Sequence, residues 1–329
     1  MVAKYTNVHN LPLSVAVWLA EDTYSHVDDP KHISATGLLK PIKQICLGHR
    51  VPQGDAVKDV ASLLASKLGT AVHDSIENAW KQNCKQSLKD LGYPPGLVQS
   101  VAVNPPEGVD DDETPVYLET RTTKPFMGYN VSGEFDFCGD GRVEDFKSTS
   151  VFTYVNKTND DKYIQQGSIY RWLNPEIITR DEMAIVFIFK DWSANMARAG
   201  GSYPPQPIVE YVLPLMSLQA TEAFIAAKLR AIEKYYDAPE DDIPSCTDED
   251  LWRSSPQWKY YADPAKATTK GARSTKNFAN QLEANMFMTS KGKGIVVEKK
   301  GEVRACKYCP AAPICQQKNS YVADGSLKL

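Results

Sequence analysis

Between residues 57 and 80 the apolar positions Val57, Val60, Leu64, Leu68, Val72, Ile76 and Trp80 recur at steps of three and four. That period predicts a helix over 55–83 with one stripe facing a core. Gly69, His73 and Glu77 lie on the shoulder of the stripe, four apart, so they sit one turn above another. Further on the period falls to two. Val131, Gly133, Phe135 and Phe137 alternate with Glu134 and Asp136, which predicts a strand over 129–137, and Val116 to Arg121 reads as another. A Gly139-Asp140-Gly141 turn follows, and then Val143, Asp145 and Lys147 share one face while Glu144, Phe146 and Ser148 take the other. If the short turn closes a hairpin, Asp136 lies across from the Asp145–Lys147 strand.

The remaining pattern predicts a helix over 11–27, a helix from Lys162 to Leu173 ended by Asn174-Pro175, a buried strand from Met183 to Lys190, a strand from Ile208 to Leu213 and an amphipathic helix over 216–236. Gln166 and Tyr170, four apart, share a face of the second of these helices. This order describes an α/β fold, a mixed central sheet flanked by helices. It is not a βαβ dinucleotide fold, because Gly139-x-Gly141 lies in a hairpin turn with no helix after it. From Asp237 the chain turns acidic, then basic, and loses apolar periodicity. The expected organisation is a helical segment at 1–54 packing on a core at 55–236, followed by a basic, cysteine-containing region at 237–329.

Composition narrows the class. In 329 residues, 42% hydrophobic and 24% charged, a large core is affordable, and disordered and fibrous classes are excluded. The longest apolar runs, Leu11–Ala20 and Ala184–Phe189, fall short of the ~20 residues of a membrane span. Residues 11–20 also lack the flanks of a signal peptide, so a cytoplasmic protein is expected. The net charge of −4 argues against a globally basic nucleic-acid coat, yet charge is uneven. Acids cluster at 110–113 and 240–242. From Ala265 to Lys307 ten Lys and Arg face three Glu, a local +7 that suits either a phosphate-tracking surface or a solvated face.

Two acids beside a lysine suit a hard divalent cation and a phosphate. Magnesium takes oxygen ligands and is held by one or two carboxylates, which Asp136 and Asp145 supply. Lys147 can stabilise charge developing on a phosphate. His73 is either a half-buried residue with its own hydrogen bonds or a metal ligand to which acids are brought from elsewhere. Seven cysteines, odd in number and irregularly spaced, do not form a secreted disulfide framework. Cys306-x2-Cys309-Pro310-x4-Cys315 is a compact thiolate cluster of the kind that wraps zinc or an iron–sulfur cluster. It needs a fourth ligand, for which Cys246 and Cys46 are the candidates. Cys84 and Cys138 read as ordinary small core or helix residues.

Taken in order, Gly69-x3-His73-x3-Glu77, Gly133-x2-Asp136, Asp145-x-Lys147, Gln166-x3-Tyr170 and the terminal cysteines resemble the PD-(D/E)XK nuclease superfamily, in its RecB-like branch and most of all its phage-encoded exonuclease-like members. Lys190-Asp191-Trp192 and the segment from Ser245-Cys246-Thr247 to Leu251-Trp252 also resemble the phage branch. The superfamily's literal Pro-Asp is absent, with Phe135 before Asp136.

The resemblance implies a restriction-endonuclease-like core and a Mg²⁺- or Mn²⁺-dependent deoxyribonuclease, an exonuclease rather than an endonuclease, acting on DNA in phage recombination or replication in the host bacterial cytoplasm. A recombination or replication partner protein is a further implied contact. His73, Asp136, Asp145 and the Phe146 carbonyl would be metal ligands, Lys147 the catalytic lysine, and Gln166 and Tyr170 would orient the substrate strand or support the lysine. Glu119 is a further carboxylate in a loose motif. Cys246 is preferred to Cys46 as fourth ligand of the cysteine site, and the Cys-Pro pair tilts that site to iron–sulfur over zinc. The rival readings are an inactive nucleic-acid-binding or partner-recruiting module on the same fold, and a structure-specific endonuclease.

Overall fold

The computed structural model describes residues 5–21, 27, 29–52, 58–106, 112–269 and 271–328. Residues 22–26, Asp28, 55–57, Asp110, Asp111 and Lys270, on which parts of the expected helices, acid cluster and basic segment fall, lie outside them. The chain forms two compact units, Met1–Lys40 with Val57–Arg230, and Pro41–Ala56 with Ala231–Leu329. The stretch expected as one N-terminal segment is therefore shared between them.

The first unit is built on a seven-stranded mixed sheet. Its strands are β1 (His32–Ser34), β2 (Val101–Val103), β3 (Thr114–Phe126), β4 (Tyr129–Gly139), β5 (Arg142–Thr149), β6 (Glu182–Phe189) and β7 (Ile208–Pro214). The order runs β2-β3-β4-β5-β6-β7, with β1 added against β4. Neighbours β3–β4, β4–β5 and β6–β7 are antiparallel, whereas β2–β3, β5–β6 and β1–β4 are parallel. The expected hairpin is β4–β5. Asp140 and Gly141 turn it with φ of 50° and 73°, the pair of positive values that a two-residue turn matched to strand twist requires.

One edge of β4 is divided between two partners. β5 takes Phe137–Gly139 and β1 takes Asn130–Ser132, so among the described residues Gly133–Asp136 carry no ladder on that edge. The parting of these strands is the fold feature that makes room for a site.

Four helices matter to this unit, namely α1 (Leu13–Ala20), α2 (Leu64–Asp90), α3 (Asp160–Leu173) and, as far as Arg230, α4 (Leu218–Tyr235). α2 starts later than its apolar period suggests. A 3₁₀ turn at Val60–Leu63 precedes it, and Asp59 caps that turn through Oδ1, which accepts from the Ala61 amide. Ile76 and Trp80, with Cys84 and Leu88 beyond them, pack on Val101, Val116, Leu118, Phe137 and Phe146. Leu64 and Leu68 at the other end of the stripe stay exposed. In α3, Asp160 and Asp161 in the first turn and Arg171 in the last complement the helix dipole, and Ile169, Tyr170 and Trp172 are buried. Each fully buried side chain such as Phe135, Ile169 or Ile185 contributes ~1.5–3 kcal/mol of burial free energy.

The second unit contains structure that apolar periodicity does not announce. β8 (Gln257–Tyr261) lies between β9 (Lys276–Phe278) and β10 (Ile295–Lys299), both antiparallel to it, and α5 (Gln281–Lys291) packs on them through Phe287 against Tyr260 and Phe278. Strands of three to five residues are too short for an alternating pattern to register. α6 (Gln316–Ala323) follows the cysteines. Two small apolar clusters hold the rest, one around Cys46, Leu47, Ile243 and Ala311, the other around Leu251, Val303, Cys306 and Leu327. Among the described residues no helix is long and apolar enough to cross a membrane.

Candidate active site

Three adjacent strands bring carboxylates level with one another. In the β3–β4 ladder Leu118 pairs with Phe137 and Thr120 with Phe135, which sets Glu119 opposite Asp136. Glu119 has φ 43°, in the left-handed region that a long side chain occupies only where its surroundings hold it. Asn104 supplies that hold. Its Oδ1 accepts from the Leu118 amide at 2.7 Å and its Nδ2 donates to the Leu118 carbonyl at 3.2 Å, clamping the residue before Glu119.

The β4–β5 ladder ends at Phe137 and Glu144, one step short of Asp136 and Asp145. Where backbone pairing stops, the Asp136 carboxylate takes over, and its Oδ2 accepts from the Phe146 amide at 2.8 Å. The Phe146 carbonyl is met by the imidazole of α2, His73 Nε2 donating to it at 3.0 Å. This bond turns the other ring nitrogen, Nδ1, toward Asp136 Oδ1 at 3.4 Å and Glu119 Oε1 at 4.0 Å. His73, Glu119 and Asp136 thereby offer three ligand atoms that all lie within 4.8 Å of one another.

Asp145 stands outside that set. It is buried and ion-paired with Lys147, two residues along the same strand face, and its Oδ2 accepts no aligned hydrogen bond. The Phe146 carbonyl joins the cluster through His73. Gln166 and Tyr170 meet as their spacing requires, with Gln166 Nε2 donating to the Tyr170 hydroxyl at 2.6 Å. A cavity of about 540 Å³ opens over the cluster, lined by His73, Glu119, Asp136 and Tyr170 together with Ser34 at the end of β1 and Thr36 just beyond it. A larger recess of about 630 Å³ beside Trp80, Cys84 and Val103 gathers no comparable ligand set among the described residues.

The electrostatics describe a place short of positive charge. The hydrogen bond to Asp136, aided by that residue's charge and opposed by burial, raises His73 to about 9. Burial, then the charge of Asp136, lifts Glu119 to about 7. Burial also raises Asp145, against the pull of Lys147. Burial works against the Lys147 ammonium, but the charges of Asp145 and Asp136 outweigh it and hold the lysine charged. Tyr170 is pushed well above its usual value, first by burial and then by Asp145 and Asp136. A donor set of one imidazole and hard carboxylate oxygens, with a buried acid beside it, fits a divalent cation of the magnesium or manganese kind.

Sequence reasoning carried Glu119 only as a loose motif and missed Ser34, Thr36 and Asn104. Glu119 has one usable signal, its register opposite Asp136. The other three depend on short strands and a backbone clamp that have no pattern of their own.

In the second unit, Cys246 is pushed up to about 12 by burial, then by Asp250 and by the thiols of Cys315, Cys309 and Cys306. Cys306 is raised to about 11 by burial and by Cys315 and Cys309. Gln317 fixes the Cys246 backbone at both ends, accepting from its amide at 2.9 Å and donating to its carbonyl at 3.0 Å. Cys46 is buried beside Leu47 and Ile243, with Cys309 and Cys315 packed against the same cluster. Its pKa is raised by burial, and the charged neighbour that acts on it is Arg50. Lys318 opposes the rise at Cys306, and Lys43 opposes the rise that burial causes at Cys315. Four soft sulfur donors fit a thiophilic metal group. Cys138 is buried and donates to the Ile177 carbonyl, while Cys84 packs against the apolar cluster under α2.

No family model matches the chain, and no curated protein matches it. Among solved structures it is similar to the protein SSO0001, with a TM-score of 0.40 and 16% identity over 66% of this chain and 84% of that one. It is also similar to a phage-related exonuclease from Haemophilus somnus 129PT, with a TM-score of 0.27 and 14% identity over 49% of this chain and 68% of that one. Neither likeness is deep enough to argue from, and the chemistry rests on the residues themselves.

Proposed function

We propose that the chain is a divalent-metal-dependent deoxyribonuclease of the PD-(D/E)XK superfamily, in its RecB-like, phage exonuclease-like branch, acting on DNA ends. The observation that carries this reading is the meeting of an imidazole from α2 with acids from β3 and β4, within 4.8 Å, next to a buried carboxylate–lysine pair. His73, Glu119 and Asp136, with the Phe146 carbonyl and Asp145 alongside, are the groups that would hold Mg²⁺ or Mn²⁺. Bound there, the ion would supply Lewis-acid polarisation of a phosphate oxygen and of water.

The chain's own residues do the rest. Asp145 and Asp136 keep Lys147 protonated, and its role in this reading is to offset the negative charge that grows on the phosphate. His73 and Asp136 grip the Phe146 peptide from either side and fix the relative position of the helix and strands. Gln166 orients the Tyr170 hydroxyl, and Tyr170 lines the cavity. For the cysteines we propose an iron–sulfur cluster held by Cys246, Cys306, Cys309 and Cys315, with zinc as the alternative. The Cys246 thiol senses all three others, which supports a shared site.

The test is degradation of linear duplex DNA by purified protein on addition of Mn²⁺ or Mg²⁺. Loss of full-length strand from the ends, absent in Asp136→Asn, is expected. No cleavage of linear or closed circular DNA with either metal would leave the inactive binding module, and cleavage of closed circles would make the enzyme an endonuclease. Absorbance near 400 nm after anaerobic purification separates iron–sulfur from zinc.

A further inference from the structure

Two large aromatic side chains in the second unit are turned to solvent and toward each other. Trp252 is 53% and Tyr308 71% exposed, and their ring centroids lie 6.0 Å apart at 41°. The adjacent Leu251 is buried, so this segment already has its apolar anchor and presents the indole in addition. Trp252 also has φ 48°, a left-handed conformation that is unusual for a bulky residue. The surrounding backbone holds it there. The Leu251 carbonyl accepts from the Arg304 and Ala305 amides at 3.1 Å each, the Ser254 amide donates to the Glu302 carbonyl at 3.0 Å, and the Glu302 amide donates to Ser254 Oγ at 2.9 Å. Two chain segments are thus fastened together so that one ring from each meets at the surface.

The chain between the two rings is rich in cations. From Trp252 to Tyr308 the sequence holds twelve Lys and Arg against four acids. A groove of about 560 Å³ is lined by Ser254, Ser255, Phe278, Lys299, Lys300 and Arg304. Among the described residues Lys300 pairs with Asp324 and Arg304 with Glu302, surface acids that a phosphate can replace. Lys299 and Lys307 have no carboxylate partner among the described residues. Exposed rings with hydroxyls and unneutralised ammonium groups beside them match a chain of aromatic bases on a phosphate backbone, and match an apolar protein surface poorly.

We propose that Trp252 and Tyr308 form a stacking platform for single-stranded nucleic acid, whose phosphates are taken by Lys299, Lys300, Arg304 and Lys307. A duplex keeps its base faces covered and cannot use the rings, so the platform selects single strands and does so without regard to sequence. The proposal shares with the nuclease reading only the class of partner, and it needs no hydrolysis by the first unit.

The test uses the full chain without added divalent metal, a fluorescein-labelled fifteen-nucleotide oligo-dT, and a duplex of the same length, with affinity read by anisotropy. The double variant Trp252→Ala/Tyr308→Ala is expected to lose roughly 30-fold or more in oligo-dT affinity and under threefold in duplex affinity, while Trp252→Phe/Tyr308→Phe stays within about fivefold of wild type. Undiminished oligo-dT binding by the alanine variant, or an equal loss for the duplex, overturns the proposal. Should the alanine variant misfold, photocrosslinking of wild type to an iodouracil-substituted oligonucleotide decides: adducts on the peptides holding Trp252 or Tyr308 support the platform, and adducts confined elsewhere overturn it. A chain that binds oligo-dT through these rings yet never cleaves with Mn²⁺ would sink the nuclease reading alone.

Discussion

The two units gather their reactive side chains by different means. In the first, His73, Glu119 and Asp136 are set by backbone ladders, a clamped left-handed residue and a buried aromatic core. In the second, the thiols sit between two small apolar clusters, in loops, with pKa values driven up by burial and by one another. A preorganised site spends its stability on holding ligands ready, whereas a thiol site of this kind draws stability from what it binds. The first unit should therefore survive loss of its metal and the second should not.

The largest effect expected from this contrast follows Cys306→Ser/Cys309→Ser. Structural thiolate sites contribute ~10–16 kcal/mol of binding free energy in small metal-folded peptides, far more than these clusters can replace. Amide hydrogen exchange should show protection lost across 243–328 and retained in β4 and β5. Protection retained in both units would put the second on the same footing as the first.

Lys147→Ala comes next, and it should lower DNA cleavage by ~10²–10³-fold, the usual effect of removing one preorganised charge-stabilising donor. Its circular dichroism should keep the wild-type shape, because the β5–β6 ladder stays intact, while its melting temperature falls because the buried Asp145 carboxylate loses its paired ammonium. Glu119→Gln is smaller, with the Mn²⁺ concentration for half-maximal cleavage rising by ~10-fold or more as one charged ligand becomes neutral. Asn104→Ala is the smallest and the most discriminating. It touches no ion, but it frees the Leu118 backbone, so it should weaken Mn²⁺ dependence by a few-fold, with maximal rate preserved, and cost ~1–3 kcal/mol in melting. A change in rate with no change in metal dependence would place Asn104 outside the support of Glu119.

How much of this was legible in the sequence depends on whether the signal was local. The β4–β5 hairpin carries its own turn chemistry, and Gln166 and Tyr170 need only a helix to meet, so both could be read directly. Local pattern placed His73 on a helix, and only the family resemblance joined it to Asp136 and the Phe146 carbonyl, because that carbonyl reaches it where the β4–β5 ladder stops. Glu119 owes its direction to a positive φ and to a side-chain clamp from fifteen residues away, neither of which leaves a period. The small sheet of the second unit went unread because its strands hold three to five residues, and Lys, Gln and Asn interrupt their apolar positions.

The most direct measurement is anomalous diffraction from crystals grown or soaked with Mn²⁺. A single manganese peak bounded by His73, Glu119 and Asp136, lost in Asp136→Asn crystals of the same form, is expected. Full soaking with no peak among these three side chains, or a peak that persists in the variant, would contradict the assignment of this cluster as the metal centre.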